Sequence, residues 1–487
     1  MNRIVLIQPR GGGFDLLGAR LPIGLLTIAA ALDKEEYEIV LIDQRLEPDW
    51  QNKLLESLKS NHVCVGITCM TGRQISQALQ ASKIVKAHSK CPVVWGGVHA
   101  STLPEQTIAN KYIDIIVIGE GEITFYELVK ALESKKSLVD IKGLMYKKEG
   151  KVFVNPPRDF IKNLDETPDL PYHLVDVNRY SSINLKEGGK SLDFVSSRGC
   201  PHKCSFCYNL EFNKGRWRAM SAEESIRRVT NLVREYNLNT IYFQDDNFCV
   251  DIERLKKILR GIIKNKLNIN WGTLGLRVDT AARMDSETLK LMYDSGCRNV
   301  DIGAESGSNR ILQMIDKEIK IDDLLKVNRR LAKYPFIVKY TFIIGFPSET
   351  DAENMQTVDI AKKLIKENPR AYTPFSVYVP YPGTKMYRDA LRGGFVPPQT
   401  LEEWNKFNPE EWFDHFPSWL KKSEIAHLRN IAFTSLFSNK NSRYKINSLL
   451  MRVLFDIYHP IAKLRFYHDF HAFPLEFWLS EKFVFRV

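Results

Sequence analysis

SSRGCPHKCSFCYN, residues 196–209, sets three cysteines at C-x3-C-x2-C directly behind the apolar, strand-like run SLDFV (191–195). A ligand-bearing loop just past a strand end is what strand–helix alternation produces, so the flanking sequence is read for that alternation. Downstream come a helical pattern near 222–236, NTIYFQDD, a helix near 252–265, NINWGTLGLR, a helix near 286–295, NVDIGAES, helices across 308–333, IVKYTFIIG, a helix near 351–366 and a last strand near 373–379. Six strand–helix units predict a partial (β/α)6 barrel of TIM type over 191–390, with its working residues just beyond the strand ends.

Upstream, IVLIQ, EIVLID, VCVGIT, PVVWGG and DIIVIGEG alternate with amphipathic stretches. This predicts an α/β chain opening with a Rossmann-like or flavodoxin-like domain over 1–140, its parallel sheet covered on both faces. The strand ends carry PRGGG (9–13), TCMTG (68–72), WGGVHAS (95–101) and GEGEITF (119–125), small residues that let the backbone approach a bulky ligand. Charged repeats and a proline cluster predict a hairpin and connecting arm over 141–190, and 391–487 reads as a separate, mainly helical, aromatic-rich tail.

The 487 residues, 44% of them hydrophobic, suffice for several buried cores. Apart from the central triplet, the eight cysteines sit singly in apolar runs, which fits reduced thiols in a cytoplasmic protein better than a secreted disulfide framework. MNRIVLIQPR reads as a first strand and not a signal, and LPIGLLTIAAAL (21–32) is shorter than the ~18 residues of a spanning helix. The net charge of +11 is diffuse, and no polybasic block calls for a nucleic acid.

A structural zinc site needs four protein ligands; here no second CxxC exists, and His202, between the first two cysteines, would strain to join them. Three thiolates suit a [4Fe-4S] cluster whose fourth iron stays open to an outside ligand. With that loop behind the first barrel strand, the sequence resembles the radical S-adenosylmethionine (SAM) superfamily. The resemblance implies that Cys200, Cys204 and Cys207 bind the cluster, that SAM chelates the open iron, and that reductive cleavage yields a 5'-deoxyadenosyl radical. YFQDDNF (242–248), GLRVD (275–279), DIGAESGS (301–308), FIIGFPSET (342–350) and VPYPGTKMY (379–387) match the same superfamily behind the second to sixth strands. The expected SAM-side residues are Phe206 near the adenine, Asp245, Arg277 for the methionine carboxylate, Glu305 for the ammonium or a ribose hydroxyl, and Gly345 and Pro347 for the adenine.

Joined to the N-terminal domain, the barrel resembles the cobalamin-binding class of radical SAM enzymes over residues 3 to about 390. That implies a corrinoid between the domains, with Thr68, Thr71, Gly72, Gly96, Gly97, His99, Gly119, Glu120 and Gly121 as candidate contacts. Many cobalamin domains supply a cobalt ligand from D-x-H-x-x-G, but here Asp43 is followed by Arg45 where that histidine would stand. The resemblance therefore implies cobalamin held without a histidine ligand.

The implied activity is methylation of an unactivated carbon, with a flavodoxin or ferredoxin as electron donor. Radical cyclisation or rearrangement without methyl transfer shares every motif; a corrinoid or iron–sulfur sensor is the non-enzymatic alternative. Methylthio transfer to RNA would call for further N-terminal cluster cysteines. The aromatic segment 442–487 suggests packing on the barrel, a lid over a lipid-like or other hydrophobic substrate, or a peripheral membrane contact. His459, His468 and His471 within it read as packing or surface residues.

Overall fold

The computed structural model describes residues 2–11, 19–32, 37–180, 189–407, 419–445 and 449–471. Gly12 and Gly13 of the PRGGG stretch, and residues 446–448 and 472–487 of the aromatic segment, lie outside them.

The first sheet contains β1 (Asn2–Gln8), β2 (Tyr37–Asp43), β3 (His62–Thr68), β4 (Val93–Gly96) and β5 (Ile115–Val117), all parallel, in the order 2-1-3-4-5. Alternate side chains of β1 enter different cores: Ile4 and Leu6 pack with Leu26 and Phe125, whereas Val5 and Ile7 pack with Trp50 and Ile75. Both faces are thus covered, which explains why these strands read as unbroken apolar runs. The order reverses between β1 and β3, the switch point at which such sheets bind ligands beyond their carboxyl ends. The hairpin expected within the connector 141–190 belongs instead to this sheet: β6 (Leu144–Lys148) pairs antiparallel with β5, and β7 (Lys151–Val154) with β6. Its strands satisfy the backbone groups that β5 would leave bare.

The second sheet runs β8 (Ser191–Phe194), then, after the small antiparallel pair β9 (Ser197–Arg198) and β10 (Arg218–Ala219), β11 (Thr240–Phe243), β12 (Asn270–Leu276), β13 (Cys297–Glu305) and β14 (Ile337–Ile344), all parallel. The sixth position is shared by β15 (Ala371–Tyr372) and β16 (Phe375–Val377), both paired to β14. Pro374 lies between them and lacks the N–H a continuous ladder requires, although its carbonyl accepts from Phe342 at 3.0 Å. β8 and the sixth position are not paired to one another, so this is an open, partial barrel.

The region 391–487 is mainly helical in its described parts but is not a separate tail. Leu401, Trp404 and Phe407 join the core on one face of the first sheet, and Trp404 Nε1 donates to Gln106 Oε1 at 2.5 Å. The helix Lys422–Phe437 packs on β16, and Trp419 Nε1 donates to the Gly345 carbonyl at 3.1 Å behind β14. The segment therefore ties the two sheets together.

Candidate active site between the two domains

The cysteine loop hangs from its neighbours by main-chain bonds. Gly199 N donates to Asp246 Oδ2 at 2.9 Å, Ser205 N to Ile315 O at 3.0 Å, and Met386 N to Ser205 O at 3.0 Å. Gly199 has φ +85°, and a Cβ there would sit 1.9 Å from the Arg216 carbonyl, so the residue before Cys200 has to be glycine. Burial pushes the Cys200 thiol up and the Cys207 thiol to about 12, and each feels a neighbouring thiol of the triplet. Asn247 Nδ2 approaches Cys200 Sγ at 3.6 Å and Arg277 Nη1 approaches Cys204 Sγ at 3.3 Å. Among the described residues no three His, Cys, Asp or Glu side chains are placed to hold one metal ion. The three thiols are neighbours, with N–H donors beside two of their sulfurs. That donor set suits a cubane cluster, in which each cysteine binds its own iron.

At the barrel strand ends, the expected SAM-side groups already have partners. Asp245 is buried, and its carboxylate accepts from Ser196 N at 3.1 Å, Ser196 Oγ at 2.8 Å and Ser197 Oγ at 2.5 Å. It pins the end of β8 to that of β11. Besides Cys204, the Arg277 guanidinium bonds Asp279 at 2.9 Å and the Lys317 carbonyl at 2.6 Å. Glu305 ends β13 in the left-handed region, φ +64°, and its Oε1 accepts from Lys317 Nζ at 2.6 Å, both side chains being under a tenth exposed. Left-handed backbone at a non-glycine residue is strain of the kind that collects at functional sites. The partner of this carboxylate is thus an ammonium.

Gly345, φ +79°, follows β14, and its N–H bonds Glu349 Oε2 at 2.7 Å. Burial pushes the Glu349 carboxyl up to about 7. Phe206 sits 6.2 Å from the Phe346 ring, beside half-buried Pro347. Lys317, Glu349 and Trp419 were missed by sequence reasoning; Glu349 alone lay within a quoted strand-end stretch.

Opposite, the carboxyl edge of the first sheet opens into a cavity of about 780 Å³ between the domains. Thr68, Gly96, Gly97, Gly119, Glu120 and Gly121 line it, as do Ser197, Arg198, Tyr208 and Asp246 from the cysteine side. Thr71, Gly72 and His99 do not. His99 is fully buried, its Nδ1 bonded to Thr71 Oγ1 at 3.0 Å and its ring against Trp404, and burial lowers its pKa to about 3. A Cβ on Gly119, φ +80°, would meet no atom within 4 Å, so the main chain here borders open space. The cavity continues between Leu6, Gly66 and Val117 of the sheet and Ile28 and Tyr126 of the helices Ile23–Ala30 and Glu122–Glu133. A roomy, mostly apolar slot rimmed by glycines fits a large planar macrocycle with an appended tail. Among the described residues no histidine lines it, and Arg45 folds back on Asp43, with bonds of 2.9 and 2.6 Å.

Glu120 and Glu122, at that same edge, grip the chain that leads into the cysteines. Arg198 Nη1 lies 2.9 Å from Glu120 and 2.6 Å from Glu122, and Arg218 Nη1 lies 2.9 Å from Glu120. Glu120 therefore lines the cavity yet acts first as an inter-domain anchor. Arg198 stood inside the opening stretch, but nothing in the sequence signalled its partners.

Comparison with known proteins agrees with this geometry. The B12 binding domain model matches residues 17–129, and that of the radical SAM superfamily matches 194–361. An uncharacterized methyltransferase of Pyrococcus horikoshii is 34% identical over 420 residues, 85% of this chain and 87% of that one. An anaerobic magnesium-protoporphyrin IX monomethyl ester cyclase of Rubrivivax gelatinosus is 25% identical over 421 residues, 84% of this chain and 73% of that one. In fold, the chain is similar to the cobalamin-dependent S-adenosylmethionine radical enzyme OxsB, solved with aqua-cobalamin and S-adenosylmethionine bound: TM-score 0.72, 18% identity, 99% of this chain and 75% of that one.

Proposed function

This chain belongs to the cobalamin-dependent radical SAM enzymes, in a methyltransferase family, and on that premise we propose that it methylates an unactivated carbon of a hydrophobic, natural-product-like small molecule. The observation that carries the substrate class is the part of the inter-domain cavity away from the first sheet, whose walls include Tyr172, Phe194, Phe212 and Leu232. Apolar walls admit an apolar substrate and exclude the water that would quench a radical.

When bound, the cluster and SAM supply a 5'-deoxyadenosyl radical and cobalamin supplies a transferable methyl group. The chain's own residues hold and orient. Cys200, Cys204 and Cys207 would ligate the cluster, with Arg277 keeping an N–H donor on the Cys204 sulfur. Glu305 would take the SAM ammonium as it now takes that of Lys317, Gly345 and Pro347 would present main chain to the adenine, and Phe206 would pack beside it. Thr68, Gly96, Gly97, Gly119 and Gly121, which line the cavity, would bed the corrinoid.

The reading extends to a cytoplasmic enzyme with a flavodoxin or ferredoxin as donor, a peripheral membrane contact through the C-terminal region, and no nucleic-acid partner. Radical cyclisation without methyl transfer is the second reading, favoured by the cyclase relative. The test is anaerobic reconstitution with iron, sulfide and hydroxocobalamin, then incubation with SAM, reductant and a panel of apolar candidates. Bound corrinoid, 5'-deoxyadenosine, S-adenosylhomocysteine and a product heavier by one methyl group support the proposal. Turnover without added methyl supports the cyclase, and turnover of polar compounds alone overturns the substrate class.

A further inference from the structure

All three cysteines of the triplet lie on the excursion 199–217, and its two ends are joined by the ladder of β9 and β10. In that ladder Arg198 stands directly opposite Arg218, and Ser197 opposite Ala219. Side chains directly opposite one another in an antiparallel pair share a face, and like charges there push the strands apart. Two guanidiniums at the neck of the cysteine loop are therefore a weakness that something has to offset.

The offset comes from the other domain. Glu120, at the carboxyl edge of the first sheet, bridges the two arginines: its Oε1 accepts from Arg198 Nη1 at 2.9 Å and its Oε2 from Arg218 Nη1 at 3.0 Å. Glu122 adds a second carboxylate 2.6 Å from Arg198 Nη1, so that two carboxylates balance two guanidiniums. The Glu120, Glu122 and Arg218 side chains are each no more than a tenth exposed, out of reach of the screening that weakens surface pairs. Glu120 Oε2 also accepts from Ile161 N at 2.9 Å, and Arg218 Nη1 donates to the Ile161 carbonyl at 2.7 Å, which binds the connector into the same knot. Gly119 and Gly121, on either side of Glu120, line the inter-domain cavity. A group seated against those glycines fixes the main chain that aims the Glu120 carboxylate.

On the reading that the cysteines hold the cluster and the cavity holds the corrinoid, we propose that Glu120 is a positioning residue for the cluster. Carried on the edge that borders the cavity, it keeps the neck of the cysteine loop shut, so that corrinoid occupancy and cluster retention strengthen one another. The test follows iron release to excess EDTA from the anaerobically reconstituted full-length protein, by loss of cluster absorbance, with and without saturating hydroxocobalamin. In the wild type, hydroxocobalamin is expected to slow release about five-fold or more. In Glu120→Gln, release is expected to be faster, and hydroxocobalamin to leave its rate unchanged. Glu120→Gln with Arg218→Gln removes one charge of each sign and keeps the neck neutral, and it carries the comparison if the single variant holds no cluster. The double variant should regain slow release without regaining the corrinoid dependence, a split that a purely structural carboxylate does not produce. A wild type that takes up no corrinoid overturns the cofactor reading and this proposal together. Corrinoid bound without slower iron release, or equal slowing in either variant, overturns the proposal alone.

Discussion

The carboxyl edges of the two sheets are built on opposite principles. The edge of the first sheet is bare: Gly96, Gly97, Gly119 and Gly121 offer main chain, and Gly119 borders open space. The barrel edge is crowded: Asp245, Arg277, Glu305 and Gly345 each already hold a partner from the chain itself. A bare edge recognises its ligand by shape and exchanges no partner for it, whereas a charged edge has to give up an internal bond for each bond it makes.

The sharpest way to break this contrast is at the cysteines. Cys204→Ala should leave the first sheet and its corrinoid capacity intact while abolishing cluster retention and 5'-deoxyadenosine formation, read by iron analysis and chromatography. Next in size is Glu305→Gln, which leaves the Lys317 ammonium buried without a counter-charge and should cost about 3–5 kcal/mol of stability in thermal or denaturant melts. Adding Lys317→Met should restore most of that stability without restoring SAM affinity. If affinity returns as well, the carboxylate is structural and the barrel edge does not exchange partners.

Gly119→Leu probes the bare edge. It should cost only about 1–2 kcal/mol for the left-handed backbone, yet lower corrinoid retention at least ten-fold by visible absorption while iron content holds. Smaller still is Arg277→Met, expected to leave cluster content unchanged and shift the cluster couple to lower potential in an electron-paramagnetic-resonance redox titration, since it removes a hydrogen bond to a ligating sulfur. An unchanged potential with weakened SAM binding would return Arg277 to the methionine carboxylate.

The smallest effect is a matter of sign. Burial raises the Glu349 carboxyl from 4.5 to about 7, so the native state holds a proton the unfolded chain has lost, and this contribution to stability declines as pH rises across that interval. Burial lowers His99 from 6.5 to about 3, so its contribution is complete above 6.5 and is lost as pH falls toward 3. Between about pH 4.5 and 6.5 the two oppose each other. A melting series should show stability rising with pH more steeply in Glu349→Gln, and rising less or falling in His99→Gln, than in the wild type.

Strand positions were legible because apolar runs ending in GEGE, RGC, GLR or AES carry both a period and a stop. Which atoms at those stops are free was not legible. Asp245 and Arg277 lie where a ligand group belongs, but their lone pairs and donors go to Ser196, Ser197, Asp279 and the Lys317 carbonyl, contacts that exist only after the chain closes. The Arg198 pairing with Glu120 crosses 78 positions and two domains, and Lys317 carries no local pattern at all. The hairpin looked like connector because β7, at the sheet edge, has no buried alternation to read: all four of its residues are exposed. The C-terminal region read as an appendage because its anchors, Trp404 and Trp419, are single aromatics whose targets lie far upstream.

That last anchor sets a clock on biosynthesis. Gln106 and Trp404 are separated by 298 positions. At translation speeds of roughly 5–20 residues per second, the ribosome takes about 15 to 60 seconds to pass from one to the other. For that interval a nascent first domain carries an uncovered apolar flank beside His99. Only a chain elongated beyond residue 407 can shield it, which makes closure of that flank a molecular signature of translation having run past the barrel.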